Sequence, residues 1–90
     1  MISLNLFKNV IELLSIMYYN NEFTFTIKKL RKKLKINQGE NVHYEIYKIV
    51  KWLVNNNYIK IVNKNSKYPF QYEITKDLLN KKQELELFYK

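Results

Sequence analysis

The chain of 90 residues has no cysteine, one glycine, one proline and one histidine, and each shortage closes off a class of chemistry. Without cysteine there is no disulfide and no thiolate metal site, which fits a reducing cytoplasm. The lone glycine, Gly39, cannot build a glycine-rich loop that cradles phosphates. His43 and the single aspartate, Asp77, leave only scattered glutamates to complete a metal site. No paired carboxylates stand out for general acid–base work, and "ELE" near the end reads as a solvated helix face. No enzymatic activity, metal or cofactor is expected, and no small-molecule effector is evident. Long apolar runs are missing as well. The opening "MISLNLFKNVIELLSIMYY" is interrupted by Lys8, Asn9 and Glu12, so nothing approaches the ~18 apolar residues of a membrane span. A basic leader and a small-residue cleavage site are also wanting, so no signal peptide is expected. With no linker, low-complexity tract or internal repeat, residues 1–90 read as one domain.

What the chain does hold is apolar bulk and positive charge. At 47% hydrophobic and 16% aromatic residues, it has the material for a core at a length where cores are hard to build. Sixteen lysines and arginines against eight acids leave a net charge of +8. So small a domain repels itself, and the excess favours a polyanionic partner. The abundance of Lys, Asn, Ile, Tyr and Phe also matches an AT-rich genome, pointing to a host of that kind or a virus or plasmid of one. Such drift explains how many lysines there are. It does not explain their clustering.

Periodicity sets out the elements. From Leu4 to Tyr19, Leu6, Val10, Leu13 and Met17 make one helical stripe and Phe7, Ile11, Leu14 and Tyr18 the next, with Ile16 off the arc. Asn20-Asn21 closes this helix, since Asn tolerates the left-handed conformation. "EFTF" (Glu22 to Phe25) is a short strand, and Thr26 caps a helix "IKKLRKKLKI" whose apolar side is Ile27, Leu30 and Leu34. "NQGEN" is a polar turn, with Asn41 able to cap the helix from Val42 to about Asn56. In that third helix Val42, Ile46, Ile49, Val50 and Leu53 share the core face, while Tyr44, Lys48, Lys51 and Asn55 lie opposite. His43 and Tyr47 flank that outward face on one side and Trp52 on the other. Asn57 is left-handed after it. Two strands follow: Ile59 and Ile61 point one way with Lys60 the other, then Phe70, Tyr72 and Ile74 one way with Gln71 and Glu73 the other. "NKNSKYP" between them is a hairpin tip. Thr75 caps a last helix, Lys76 to about Tyr89, with Asp77 in its first turn and Leu78, Leu85 and Phe88 on its apolar side, Leu79 beside them.

The stretch from Phe25 to Thr75, "FTIKKLRKKLKINQGENVHYEIYKIVKWLVNNNYIKIVNKNSKYPFQYEIT", resembles the winged helix-turn-helix DNA-binding domain, and the resemblance covers about Phe23 to Thr75. "TIKKLRKKLKI" falls on the motif's second helix and "NVHYEIYKIVKWLVNNNYI" on the recognition helix running into the first wing strand. "QYEIT" falls on the second wing strand and the residue before the next helix. The resemblance implies an α+β fold of helix, strand, helix, helix, β-hairpin wing and helix, with the helix-turn-helix at about 26–56 and the wing at about 58–75. The chain departs from the family in having Asn57 where glycine is usual, and Lys64 and Lys67 at the wing tip where arginine is frequent. Lysine is a point charge without arginine's planar fork, so backbone contact is expected there rather than groove reading.

The resemblance further implies that the third helix enters the major groove of double-stranded DNA and the wing lies on the flanking backbone or minor groove. On that basis the expected contacts are Asn41, His43, Tyr44, Tyr47, Lys48 and Lys51 from the third helix and Lys64 and Lys67 from the wing. Six cations encircle the second helix outside its apolar stripe, and of these Lys28, Arg31 and Lys32 are expected near phosphates. The first helix carries more apolar surface than one small core covers, and the last ends in Leu85, Leu87, Phe88 and Tyr89. A symmetric homodimer through these two helices is expected, as in small dimeric regulators of this family. The functional expectation is a sequence-specific regulator of transcription acting in the cytoplasm. An interaction module of a replication or transcription complex and a non-specific nucleic-acid coat are the other classes the residues allow.

Overall fold

The structure is a computed structural model, and it describes residues 4–36, 41–62, 70–82 and 84–85. Among the described residues, four helices and a three-stranded antiparallel sheet make an α+β fold. The order is α1 (Leu4–Tyr19), β1 (Thr24–Phe25), α2 (Ile27–Lys33), α3 (Asn41–Asn55), β2 (Ile59–Ile61), β3 (Tyr72–Ile74) and α4 (Lys76–Asn80). No helix among the described residues is long and apolar enough to cross a membrane.

Three helices end the same way, and this repeated ending sets the direction in which each following element leaves. At the end of α1 the Asn21 amide donates to the Tyr18 carbonyl (3.0 Å) and the Glu22 amide to that of Met17 (2.8 Å). After α2, Lys35 donates to Lys32 (3.1 Å) and Ile36 to Arg31 (3.0 Å). After α3, Asn57 donates to Val54 (3.1 Å) and Tyr58 to Leu53 (2.9 Å). Each is a Schellman closure, which satisfies two orphan carbonyls and requires a left-handed residue just past the helix. Asn21, Lys35 and Asn57 hold those places with φ of 64°, 59° and 65°. The two asparagines are as expected; the lysine is not. It stops α2 at Lys33, three residues short of the expected end. Asn41 also differs, being already the first residue of α3 rather than its cap.

The sheet order is β1-β3-β2, so the last strand in sequence sits in the middle. Thr24 pairs with Glu73 and Phe25 with Tyr72 on one side; Ile59, Lys60 and Ile61 pair with Ile74, Glu73 and Tyr72 on the other. Residues of one face alternate inward as expected, burying Ile59, Tyr72 and Ile74 and exposing Lys60, Gln71 and Glu73. Phe25 stacks on Tyr72 across the pair, with ring centres 5.5 Å apart. The hairpin tip, including Lys64 and Lys67, lies outside the described residues.

One core joins every element: Phe7, Val10, Ile11, Leu14 and Met17 from α1, Phe25 from β1 and Ile27 and Leu30 from α2. To these are added Ile46, Ile49, Val50 and Leu53 from α3, the inward strand residues, and Leu78 and Leu85. Ser15 is buried among them at no cost, because its hydroxyl donates to the Ile11 carbonyl at 2.8 Å. Thr26 caps α2 as read from the sequence, accepting from the Lys29 amide at 3.2 Å. Thr75 stands in the equivalent place before α4 but makes no side-chain cap. Its hydroxyl donates instead to the Tyr58 carbonyl at 2.6 Å, tying the start of α4 to the chain leaving α3. Leu85 and the described part of the last helix are spent on this chain's own core; Leu87, Phe88 and Tyr89 lie outside the described residues.

Candidate nucleic-acid interface

α2 packs against α3, and α3 against β2, so α3 crosses the molecule with its apolar stripe fixed from both sides. That leaves Asn41, Tyr44, Tyr47, Lys48, Lys51 and Asn55 on its open face, all exposed. Tyr44 and Tyr47 keep 58% and 46% of their surface in solvent, which is high for side chains of that bulk.

His43 departs from its expected place. It is only 8% exposed and sits under the two tyrosines, its ring stacked 5.6 Å from Tyr44 and tilted 5.2 Å from Tyr47. The cause is the crossing of α2, which covers the flank of α3 where His43 lies. It acts as a support that sets the directions of Tyr44 and Tyr47 rather than as an outward contact.

α2 divides its cations into two stripes. Lys29 and Lys33 turn toward Glu22, at 3.3 Å and 3.6 Å. The hydrogen bond from Lys29, and next the charge of Lys33, hold the Glu22 carboxyl below its ordinary value near 4.5. Lys28 and Lys32 lie on the other stripe, exposed and without a carboxylate partner among the described residues. Arg31 shares that stripe, yet it is half-buried and donates from Nη1 to the Ile36 carbonyl at 3.3 Å, bracing the turn after α2. Its Nε is shielded from solvent and has no hydrogen-bond partner. Part of the guanidinium expected at phosphate is therefore engaged in the fold.

Two clefts meet on this side. A narrow one of about 190 Å³ is lined by Ile27, Lys28, Arg31, His43 and Tyr47. A larger one of about 480 Å³ lies between α3 and the sheet, lined by Tyr47, Lys48, Lys51, Val54, Asn55, Ile61, Phe70 and Tyr72. Tyr47 belongs to both, so cations of α2 and α3 fall on one continuous side of the molecule. Among the described residues, no Asp or Glu lines either cleft. Sequence reasoning missed two members of this neighbourhood: Glu22, whose pairing spans a loop, and the apolar floor formed by Val54, Ile61, Phe70 and Tyr72. Strand alternation signalled the inward direction of those last three, but not that the space over them stays open.

No group of three or more His, Asp or Glu side chains that could hold a metal ion occurs among the described residues. Comparison of the chain with family models, curated proteins and solved structures gives no match.

Proposed function

We propose that the chain is a winged helix-turn-helix protein that binds double-stranded DNA in a sequence-specific manner and regulates transcription as a homodimer. In this reading α2 and α3 are the helix-turn-helix, α3 enters the major groove, and β2 and β3 are the base of the wing. The single observation that carries it is the convergence of Lys28, Lys48 and Lys51 around Tyr47 on one side of two crossed helices, with no carboxylate among the described residues that line it. A polyanion of regular shape is the partner such a side fits. Asn41, Tyr44 and Lys48 extend from the first turns of α3 toward base edges, where Asn pairs with adenine and Lys with guanine acceptors. Lys28 and Lys32 take phosphates, as do the wing lysines Lys64 and Lys67. The order β1-β3-β2, which joins the strand before α2 to the hairpin, is consistent with this architecture.

Dimerisation is supported by the exposed apolar residues at the end of α1. Ile16 and Tyr19 are 56% and 75% in solvent, and Phe23 lies close by. A second copy on this surface sets two α3 helices side by side for a palindromic site, with half-sites about 34 Å apart.

Selection of bound sequences from a random duplex library, followed by affinity measurement at fixed salt, tests the reading. A regulator prefers its selected site over random duplex by ~10³ or more. Equal affinity for every duplex, with a steep salt dependence, would make the protein a non-specific coat instead. Weak DNA binding alongside a retained protein partner would make it an interaction module.

A further inference from the structure

The cleft between α3 and the sheet contains more than a DNA contact requires. A duplex presents base-edge acceptors and phosphates to Lys48 and Lys51, and neither makes use of an apolar floor. Val54, Ile61, Phe70 and Tyr72 line this cleft together with the two lysines. Open apolar area costs about 25 cal/mol for each Å² left in water, so such a surface at a cleft's base is a place for an apolar body. The volume, about 480 Å³, falls inside the range of small-molecule sites, roughly 300–1,000 Å³. Its composition fits the same description, an apolar lining with a few polar groups that fix orientation.

We propose that this cleft binds a small amphiphilic anion, a flat apolar body carrying one carboxylate or sulfonate. Charge decides the sign of the ligand. Lys48 and Lys51 stand one helical turn apart, are exposed, and form no ion pair among the described residues. No acidic side chain among the described residues lines the cleft, so an anion meets two cations and no repulsion from them. Tyr47 and Asn55 add a hydroxyl and an amide at the rim. The apolar body lies over Val54, Ile61, Phe70 and Tyr72 while the anionic group remains at the lysines. This binding is independent of the DNA reading; only its consequence, competition with DNA for Lys48 and Lys51, rests on it.

The test uses the full chain without DNA and the probe 8-anilinonaphthalene-1-sulfonate, with its uncharged relative N-phenyl-1-naphthylamine as comparison. One saturable site is expected, together with a rise in melting temperature, since a ligand that prefers the folded state stabilises it. The uncharged probe should bind more weakly by about tenfold or more, the size of a partly screened charge interaction. The exposed double change Lys48→Glu/Lys51→Glu should weaken the sulfonate by at least the same factor, and Val54→Phe should fill the cleft and abolish saturation. Equal affinity for the two probes, an unchanged sulfonate affinity in the double variant, or no saturable binding up to ~1 mM would overturn the proposal. Because no duplex is present, none of these results depends on whether the protein binds DNA.

Discussion

Glu22 meets Lys29 at 3.3 Å across the loop from α1 into α2, and the contact decides which cations of α2 remain uncommitted. Glu22 is placed by the closure of α1, where its amide donates to the Met17 carbonyl at 2.8 Å. From that fixed backbone its carboxylate takes Lys29 and Lys33 together. Among the described residues, Lys28 and Lys32 have no carboxylate partner on the adjacent stripe. The arrangement reduces the positive field on one side of the helix and leaves it whole on the other.

Glu22→Gln should therefore raise affinity for all duplexes by similar factors and steepen the dependence on salt, because a neighbouring anion is removed and two ammonium groups are released. Salt titrations of the variant and the parent on two unrelated duplexes check this; matching slopes for both proteins would remove Glu22 from the electrostatics of binding. The same contact has a pH signature. The folded carboxyl lies below its ordinary value, so its contribution to stability is complete above about 4.5 and is lost as pH falls through the lowered folded value. Glu22→Gln should flatten stability against pH in that acidic window alone.

The two helices should contribute differently to DNA binding. Tyr44→Ala and Lys48→Ala remove groups at the open face of α3 and should reduce discrimination between a selected site and random duplex, by about 1–3 kcal/mol where a base contact is lost. Lys28→Ala and Lys32→Ala should instead weaken every duplex about equally and lower the salt slope by about 1 each. Competition assays with selected and random duplexes separate the two. Uniform losses from the α3 changes would move base reading elsewhere on the molecule.

Much of this layout was legible because it follows from local rules. Two of the three left-handed helix ends are asparagines, the residue type that tolerates that conformation best after glycine, and Thr26 sits where a cap must. Lys35 was hidden because lysine carries no such preference; only the chain's need to turn toward α3 puts it at φ 59°. His43 lies near the border between buried and open faces, where periodicity alone cannot say which neighbour will cover it. Thr75 has a cap's position and backbone, yet its hydroxyl donates to the Tyr58 carbonyl, 17 residues back, and accepts from no amide of α4. Each miss is a tertiary contact overriding a local signal.

Lys35 gives a test of that override. A left-handed residue with a Cβ costs roughly 1–2 kcal/mol, and glycine removes the cost while adding freedom to the unfolded chain. Lys35→Gly should stabilise the fold by about 0.5–1 kcal/mol net, whereas Asn57→Gly should change it little. Urea unfolding measures both, and a destabilised Lys35→Gly would mean that the lysine side chain contributes more than its backbone costs.

Thr75 tests the tie between α3 and α4. Thr75→Val keeps the shape and removes the hydroxyl that donates to Tyr58. A loss of about 1 kcal/mol is expected, with a fall in melting temperature of about 4–8 °C for a domain of this size. An unchanged melting curve would show that water replaces the hydroxyl at the Tyr58 carbonyl.

The proposed dimer makes the sharpest demand on surface residues. Leu78 and Leu85 are fully used within the chain, so among the described residues the exposed apolar area apart from Tyr44 and Tyr47 on α3 and Val62 after β2 is at Ile16, Tyr19 and Phe23. Ile16 is exposed, so Ile16→Glu leaves the core untouched and places a charge, and its symmetry mate, in the proposed contact. Sedimentation should show a dimer in the parent at tens of micromolar and a monomer in the variant, with the same melting temperature extrapolated to low concentration. DNA affinity for a palindromic site should fall steeply while affinity for a half-site stays constant, because each copy retains its own α3. A parent protein that sediments as a monomer at that concentration would leave one copy reading DNA alone, and the site it selects would then lack two-fold symmetry.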